Sequence, residues 1–353
     1  MSALSEYGDW PLKRLMTEVV GSGPKSAEDM NREQAREAMA RILDGEPDHT
    51  TLGAFWLANR WKHNTPEELA AFSDVIRETS VETAAPDCDP VDCGANYDGK
   101  GRSALLGVAA GAVAAAAGTP VVTHSGDRVP TQKQDAYKHV LDELGVRTEL
   151  DPEASADMVD ETGFGFYYRP NFDPGTEALA ERRDMLGVRS YVNTVETLMN
   201  PADADVHLGS FYHLAFAKRV IETFELMESQ SVDSVVMFQG MEGYDDIRPG
   251  STTVAVDRGE GVEDFEISTA AYGMDVENED LQVEDVAADS AAITEAVLTG
   301  EREDGFADAV ALNAAVRIYA REDAEDLEEG IEMAREAIEA GEAEAVLEDL
   351  RSF

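Results

Sequence analysis

VDCGANYDGKGRSALLGVAAGAVAAAAGTPVVTHSGDRVPTQKQDAYKHVLDELGVR, residues 91–147, is the stretch whose reading decides the fold. A polar loop with glycines at 94, 99 and 101 leads into a run of small apolar residues, a short valine pair, a second polar loop and an amphipathic segment. Alanine has the best helix propensity and valine favours strands, so 104–117 is expected as a helix, 120–123 as a strand and 132–144 as a second helix. The first helix lacks bulk. Its alanines, with Gly107 and Gly111, let neighbouring backbones come close, which suits packing flat on a sheet. Gly118-Thr119-Pro120 cuts the apolar run below the roughly 20 residues a bilayer span needs, so no membrane insertion is expected.

Upstream, residues 1–85 read as helices without strands. Segment 12–19 is the first. A second follows Asn31, an N-cap with Gln34 at the reciprocal position, and runs to 43, where Asp44-Gly45 stops it. A third spans 51–61. A fourth opens on Thr65-Pro66-Glu67-Glu68, with cap, first-turn proline and reciprocating glutamate at their proper offsets. Downstream, the sequence suggests helices at 174–185 and 211–228, a buried strand at 234–238 and an antiparallel pair at 252–256 and 265–268. The tail from 307 reads as helical with a break at Gly341. Strand and crossover helix alternate from 91 to 238, which indicates an α/β domain with a mostly parallel sheet flanked by helices. The expected division is a helical domain at 1–85, completed by helices from about 174–225, and an α/β domain at 86–353.

The formal charge is −45, from 28 basic and 73 acidic residues. A phosphate backbone or anionic membrane is repelled by most of such a surface, which argues against ordinary electrostatic capture of nucleic acid. Local convergence of Lys100, Arg102, Arg128, Arg169 and Arg183 is what such binding requires. The acid excess runs through segments with clear apolar faces and 43% of residues are hydrophobic, which separates this chain from a disordered polyanion. The pattern resembles proteins of salt-loving archaea, and only seven of the basic residues are lysine. Cys88 and Cys93, with no histidine beside them, suggest a reduced cytoplasmic pair rather than a disulfide framework or zinc site. The opening MSALSEYGDW shows no basic-then-apolar leader.

MNREQAREAMARILDGE, LGAFWLANRWKHNTPEELAAF, THSGDR, VLDELGV, RPNFDPG, ERRDMLGVRS, LMNPAD, QGMEGYDDI and ALNAAVRIYAREDAEDLEEGIEMAREAIEAG occur in order along nearly the whole chain. Together they resemble the anthranilate phosphoribosyltransferase family, within the nucleoside-phosphorylase-like fold group. The resemblance implies a small helical domain joined to a larger α/β domain, a homodimer through the helical part, and transfer of a phosphoribosyl group from phosphoribosyl pyrophosphate to a nitrogen. It also implies Mg2+ on the pyrophosphate.

By that resemblance the loop after the first strand takes the place of the family's Gly-Thr-Gly-Gly-Asp stretch, which is not intact here. Gly94, Asn96, Gly99, Lys100, Gly101, Arg102 and Ser103 are the phosphate candidates: glycines for tight turns, two cations, and a hydroxyl next to free N–H groups. Lys133 falls near a later family lysine. His124 and Arg128 stand where the family has Lys-His-Gly-Asn-Arg. Arg183 falls where the family places an arginine for the acceptor's carboxylate, since its planar fork matches that group. Upstream, Arg169 and Asp173 make a nearly neutral pocket charged, which disfavours anthranilate as the acceptor. Asp245-Asp246 follow a buried strand and match the family's Gly-x-Asp-Glu, a metal candidate because adjacent carboxylates suit hard divalent cations. Two readings remain: a phosphoribosyltransferase with another nitrogenous acceptor, or a noncatalytic relative that binds a nucleotide, a phosphorylated ligand or single-stranded nucleic acid.

Overall fold

The computed structural model describes residues 7–353 apart from 22 and 24; the first six residues, part of the stretch read for a leader, lie outside the described residues. The N-terminal part holds four helices, α1 (Leu12–Glu18), α2 (Arg32–Leu43), α3 (His49–Lys62) and α4 (Pro66–Thr79). Both expected capping boxes form. Asn31 accepts from the Gln34 N–H at 2.9 Å while Gln34 accepts from the Asn31 N–H at 3.0 Å, and Thr65 and Glu68 do the same at 3.2 and 3.0 Å.

A seven-stranded sheet follows: β1 (Val91–Gly94), β2 (Val121–Ser125), β3 (Phe164–Tyr168), β4 (Val206–Phe211), β5 (Ser234–Gln239), β6 (Ser251–Asp257) and β7 (Glu263–Ser268). Its order is β3-β2-β1-β4-β5-β6-β7. The first five strands are parallel, and β6 and β7 add an antiparallel edge. Alternation along the strands gives each face its own core. Cys93, Phe164, Phe166, Leu208, Val236 and Phe238 join one cluster with α5 (Gly107–Ala116) and the C-terminal helices. Val122, Tyr167, Val235 and Met237 join the other, with α2, α3, α4 and residues of the helix Leu214–Leu226.

Helix α5 begins three residues later than expected, because Ala104 is tied instead to Leu281 through its N–H at 3.0 Å. Its glycines are steric requirements. A Cβ at Gly111 would lie 2.5 Å from the Phe164 ring, and one at Gly107 would lie 2.2 Å from the Tyr137 hydroxyl. The helix expected at 132–144 is only Tyr137–Glu143, since Lys133 sits at φ 54 in the loop before it. The expected 174–185 helix is two pieces, Pro174–Glu177 and Ala180–Leu186. The tail breaks after Ala320 as well as at Gly341. Strand β4 and the helices Pro152–Thr162 and Val286–Leu298 have no counterpart among the sequence expectations. Among the described residues no helix is long and apolar enough to cross a membrane.

Candidate active site

Parallel strands β1, β2, β3 and β5 all release their loops at one end of the sheet, where open α/β folds place ligands. The loops 95–106 and 240–250 meet there. Gly94 itself belongs to β1, where a Cβ would lie 2.3 Å from the Thr197 carbonyl, so it is a packing glycine and not part of a nest. Gly99 sits at φ +75 and lets Lys100 N–H reach the Asp135 carbonyl at 3.0 Å. Asn96 braces the turn by accepting from the Asp98 N–H at 3.1 Å.

The rest of this loop is an anion cradle that holds an anion of the chain's own. The Ser103 N–H and hydroxyl donate to Glu242 Oε1 at 2.9 and 2.6 Å, and the Gly101 N–H reaches Oε2 at 3.4 Å. Arg102 lies outside, its side chain exposed and its Nε 3.8 Å from the same carboxylate. Burial alone raises the Glu242 carboxyl, but the Ser103 and Gly101 donors outweigh it and hold it below the usual range. Glu242 reaches this position from a left-handed backbone, φ 55.

Lys100 does not face a ligand. It is fully buried, pairs with Asp246 and donates to the Ala104 carbonyl at 2.8 Å. A buried ammonium needs an anion, and Asp246 supplies it. Asp246 Oδ2 also accepts from the Leu106 N–H at 3.1 Å. Next to it, Asp245 Oδ2 takes the Tyr137 hydroxyl and, at 3.1 Å, Arg317. Burial pushes the Asp245 carboxyl up to about 6 against the pull of Arg317. Each aspartate keeps one buried oxygen, Oδ1, without a protein partner. These are the two oxygens left for a cation such as Mg2+, which is commonly bound through one or two carboxylates with water and phosphate completing the shell, while Lys100 and Arg317 already balance the charge of both carboxylates. Among the described residues no group of three or more His, Cys, Asp or Glu forms a fuller metal cluster.

The expected acceptor residues fall into separate groups. Arg169 and Arg183, both buried, converge on one buried carboxylate, Glu196. Arg183 grips it with both nitrogens at 2.7 and 2.8 Å, and Arg169 adds a bond at 2.6 Å. The charge of both guanidinium groups is therefore already paired, and only their buried Nε–H groups lack a partner. Asp173 is structural: it caps Pro174–Glu177 through the Thr176 N–H at 3.2 Å and binds Ser80. Arg128 is exposed and pairs with Asp135 at 2.5 Å. Lys133 pairs with Asp184 at 2.8 Å on the surface. His124 lies inside the sheet face. Its Nδ1 meets the Tyr97 hydroxyl, and its Nε2 lies 3.1 Å from Asp92, which His207 holds from the other side at 2.8 Å. Burial raises the Asp92 carboxyl, yet the two histidines more than offset it and keep it well below the usual range.

Sequence alone does not single out Glu242, Glu196, Asp92, Tyr137 or Arg317. Glu242 stands three residues before Asp245 in the same loop, the one positional hint. Arg317 is hidden in the apolar C-terminal helix Gly305–Ala320, where a lone arginine between alanines and valines is itself a signal of a buried anion.

A helical bundle beside a mostly parallel sheet, with a glycine loop facing paired aspartates at the strand ends, is the architecture of the two-domain glycosyl transferase family. The chain belongs to the anthranilate phosphoribosyltransferase family of these proteins. The helical bundle domain of the glycosyl transferase family matches residues 16–80, and the family's a/b domain matches residues 98–344. The anthranilate phosphoribosyltransferase of Natronomonas pharaonis is 32% identical over 329 residues, covering 92% of this chain and 96% of the relative. That of Methanocorpusculum labreanum is 33% identical over 334 residues, covering 92% and 94%. The crystal structure of the Thermus thermophilus enzyme superposes with a TM-score of 0.79 at 28% identity, over 92% of this chain and 96% of that one. The Saccharomyces cerevisiae enzyme in complex with PRPP and Mg shares the fold, with a TM-score of 0.76 at 18% identity, over 91% and 93%.

Proposed function

We propose that this protein transfers a phosphoribosyl group from phosphoribosyl pyrophosphate to a nitrogenous acceptor other than anthranilate. The observation that carries the reading is the cradle: backbone N–H groups of Gly101 and Ser103 and the Ser103 hydroxyl already hold a carboxylate beside Asp245 and Asp246. The same donors suit a diphosphate oxygen once Glu242 moves aside. Asp245 and Asp246 would hold Mg2+, which when bound stabilises charge on the departing diphosphate. The chain's own part is to bind that group through the cradle, so that negative charge leaving the anomeric carbon meets fixed N–H dipoles. Lys100 holds Asp246 in place. An acceptor other than anthranilate is supported by Arg183, whose fork is already closed on Glu196.

The noncatalytic reading draws on the same Glu242 and Lys100 contacts, which leave the cradle occupied and its lysine paired. Calorimetric titration with phosphoribosyl pyrophosphate and Mg2+ in high salt tests the proposal, followed by pyrophosphate release with a panel of amines. Saturable binding with acceptor-dependent release that Ser103→Ala weakens is the expected result. Absence of binding below millimolar ligand would sink it; binding without release under any acceptor would leave the noncatalytic module.

A homodimer through the helical part is a further element of this reading. Trp61 and Leu57 are exposed on α3, beside an apolar cavity of about 520 Å³ lined by Met16, Val20, Ala54 and Ala58. A second copy of the chain would cover that face. Light scattering of the wild type against Trp61→Asp tests it, with a twofold mass difference expected and equal masses refuting it.

A further inference from the structure

Two buried guanidinium groups on one buried carboxylate are more than an ion pair needs. Arg183 meets Glu196 in the parallel two-bond geometry with which arginine recognises free carboxylates. Arg169 binds the same Oε2 oxygen and is balanced from the rim by the half-exposed Glu177. Glu196 is fully buried, so the arrangement is a closed receptor whose ligand is a side chain.

Its position ties it to the cradle. Arg183 Nη2 lies 3.4 Å from the Pro130 carbonyl, which also takes Asn193 at 3.4 Å. Asn193 in turn reaches Asp98, the residue before Gly99, at 3.2 Å, and Arg189 pairs with the same carboxylate at 2.6 Å. The Arg169 guanidinium lies 5.7 Å from the centre of the Tyr97 ring. The receptor therefore sits against the two loops that follow β1 and β2.

We propose that Glu196 sets acceptor specificity: it is an internal carboxylate filling the Arg169–Arg183 receptor, so that the pocket excludes small carboxylate acceptors and admits a nitrogen nucleophile without a carboxylate. The acceptor consequence rests on the phosphoribosyl transfer reading above; the receptor does not. Removing Glu196 leaves two arginines facing a cavity the size of the lost side chain, and a free carboxylate restores the lost pairing.

The test is rescue of Glu196→Ala in the full chain, read by thermal unfolding and calorimetry in high salt. Formate and acetate, which match the lost CH2–COO− group in size, should raise its melting temperature by several degrees with saturation. Formamide and acetamide, the uncharged counterparts, should bind at least tenfold more weakly, and adding Arg183→Met should abolish the response. The wild type, with Glu196 in place, should respond to neither acetate nor anthranilate. Should the variant recover poorly from denaturant, refolding in acetate against chloride replaces the melt; recovery favoured by acetate supports the receptor. The inference is overturned by a variant that ignores small carboxylates in both assays, or by a wild type that binds anthranilate or responds to acetate as the variant does. Failure of phosphoribosyl pyrophosphate to bind the wild type would remove the transfer reading yet leave carboxylate rescue intact, so the two failures are separable.

Discussion

Glu242→Ala should tighten phosphate binding, and the structure sets the size of the effect. In the closed form the carboxylate takes two good hydrogen bonds, from the Ser103 N–H and hydroxyl, and a longer one from Gly101. Bonds to a charged group are worth about 1.5 kcal/mol each at the low end, so closure gains about 3 kcal/mol. Against it stands the left-handed backbone at Glu242, φ 55, which costs about 1 kcal/mol for a residue other than glycine. A net preference of about 2 kcal/mol leaves the cradle open in roughly one molecule in 30, and a ligand that needs the open form binds about 30-fold more weakly for it. Titration of wild type and variant with inorganic pyrophosphate, and separately with phosphoribosyl pyrophosphate, measures this difference. About 1 M salt shortens the screening length to about 3 Å and so removes most of the distant effect of deleting one charge. Dissociation constants within about threefold of each other, or weaker binding by the variant, would refute the competition between Glu242 and phosphate.

Lys100→Met removes the cation from a fully buried pair and should destabilise the fold by about 3–5 kcal/mol in denaturant titration, because Asp246 is left charged and unpaired. Gly111→Ala should cost about 1–3 kcal/mol, since its Cβ would lie 2.5 Å from Phe164; an unchanged denaturation midpoint would show that the ring yields freely. Burial raises Asp98 to about 6 despite Arg189, so the folded state holds a proton there that the unfolded chain releases between about 6 and its ordinary 3.8. Stability from this group is lost as pH rises through 6 and regained as pH falls toward 4. Comparing the wild type with Asp98→Asn should therefore show the wild type gaining up to about 3 kcal/mol relative to the variant between pH 7 and pH 4, at about 1.36 kcal/mol per unit. A constant difference across that range would contradict the assignment.

Local signals carry the helical part and the sheet edge. The capping residues at Asn31 and Thr65, the antiparallel pair around 251–268 and the strand before Asp245 can be read directly, because each depends on neighbours in sequence. Strand β4 escapes such a reading because VHLGSF carries a histidine and a glycine, and its His207 is explained only by Asp92 on the adjacent strand. The site is legible in position and not in pairing. Arg183 and Lys100 stand at informative places, but Glu196 and Asp246, 13 and 146 residues away, determine what they do. With 73 acidic residues in the chain, no single glutamate attracts notice until the fold brings it to a cation.

That pairing also bears on what the site can attract. Capture of a nucleic acid requires several unneutralised cations along one surface. Here Lys100, Arg169 and Arg183 are buried and paired with Asp246 and Glu196, while exposed Arg102 and Arg128 lie against Glu242 and Asp135. The five cations do not converge into a basic stripe, and the surrounding charge of −45 repels a polyanion at long range. What the cradle offers an anion is a short-range set of N–H and O–H donors, usable only at contact distance. Such a site selects for a small phosphorylated ligand that can displace one glutamate, and its affinity should depend on salt far less than that of a protein relying on many phosphate contacts.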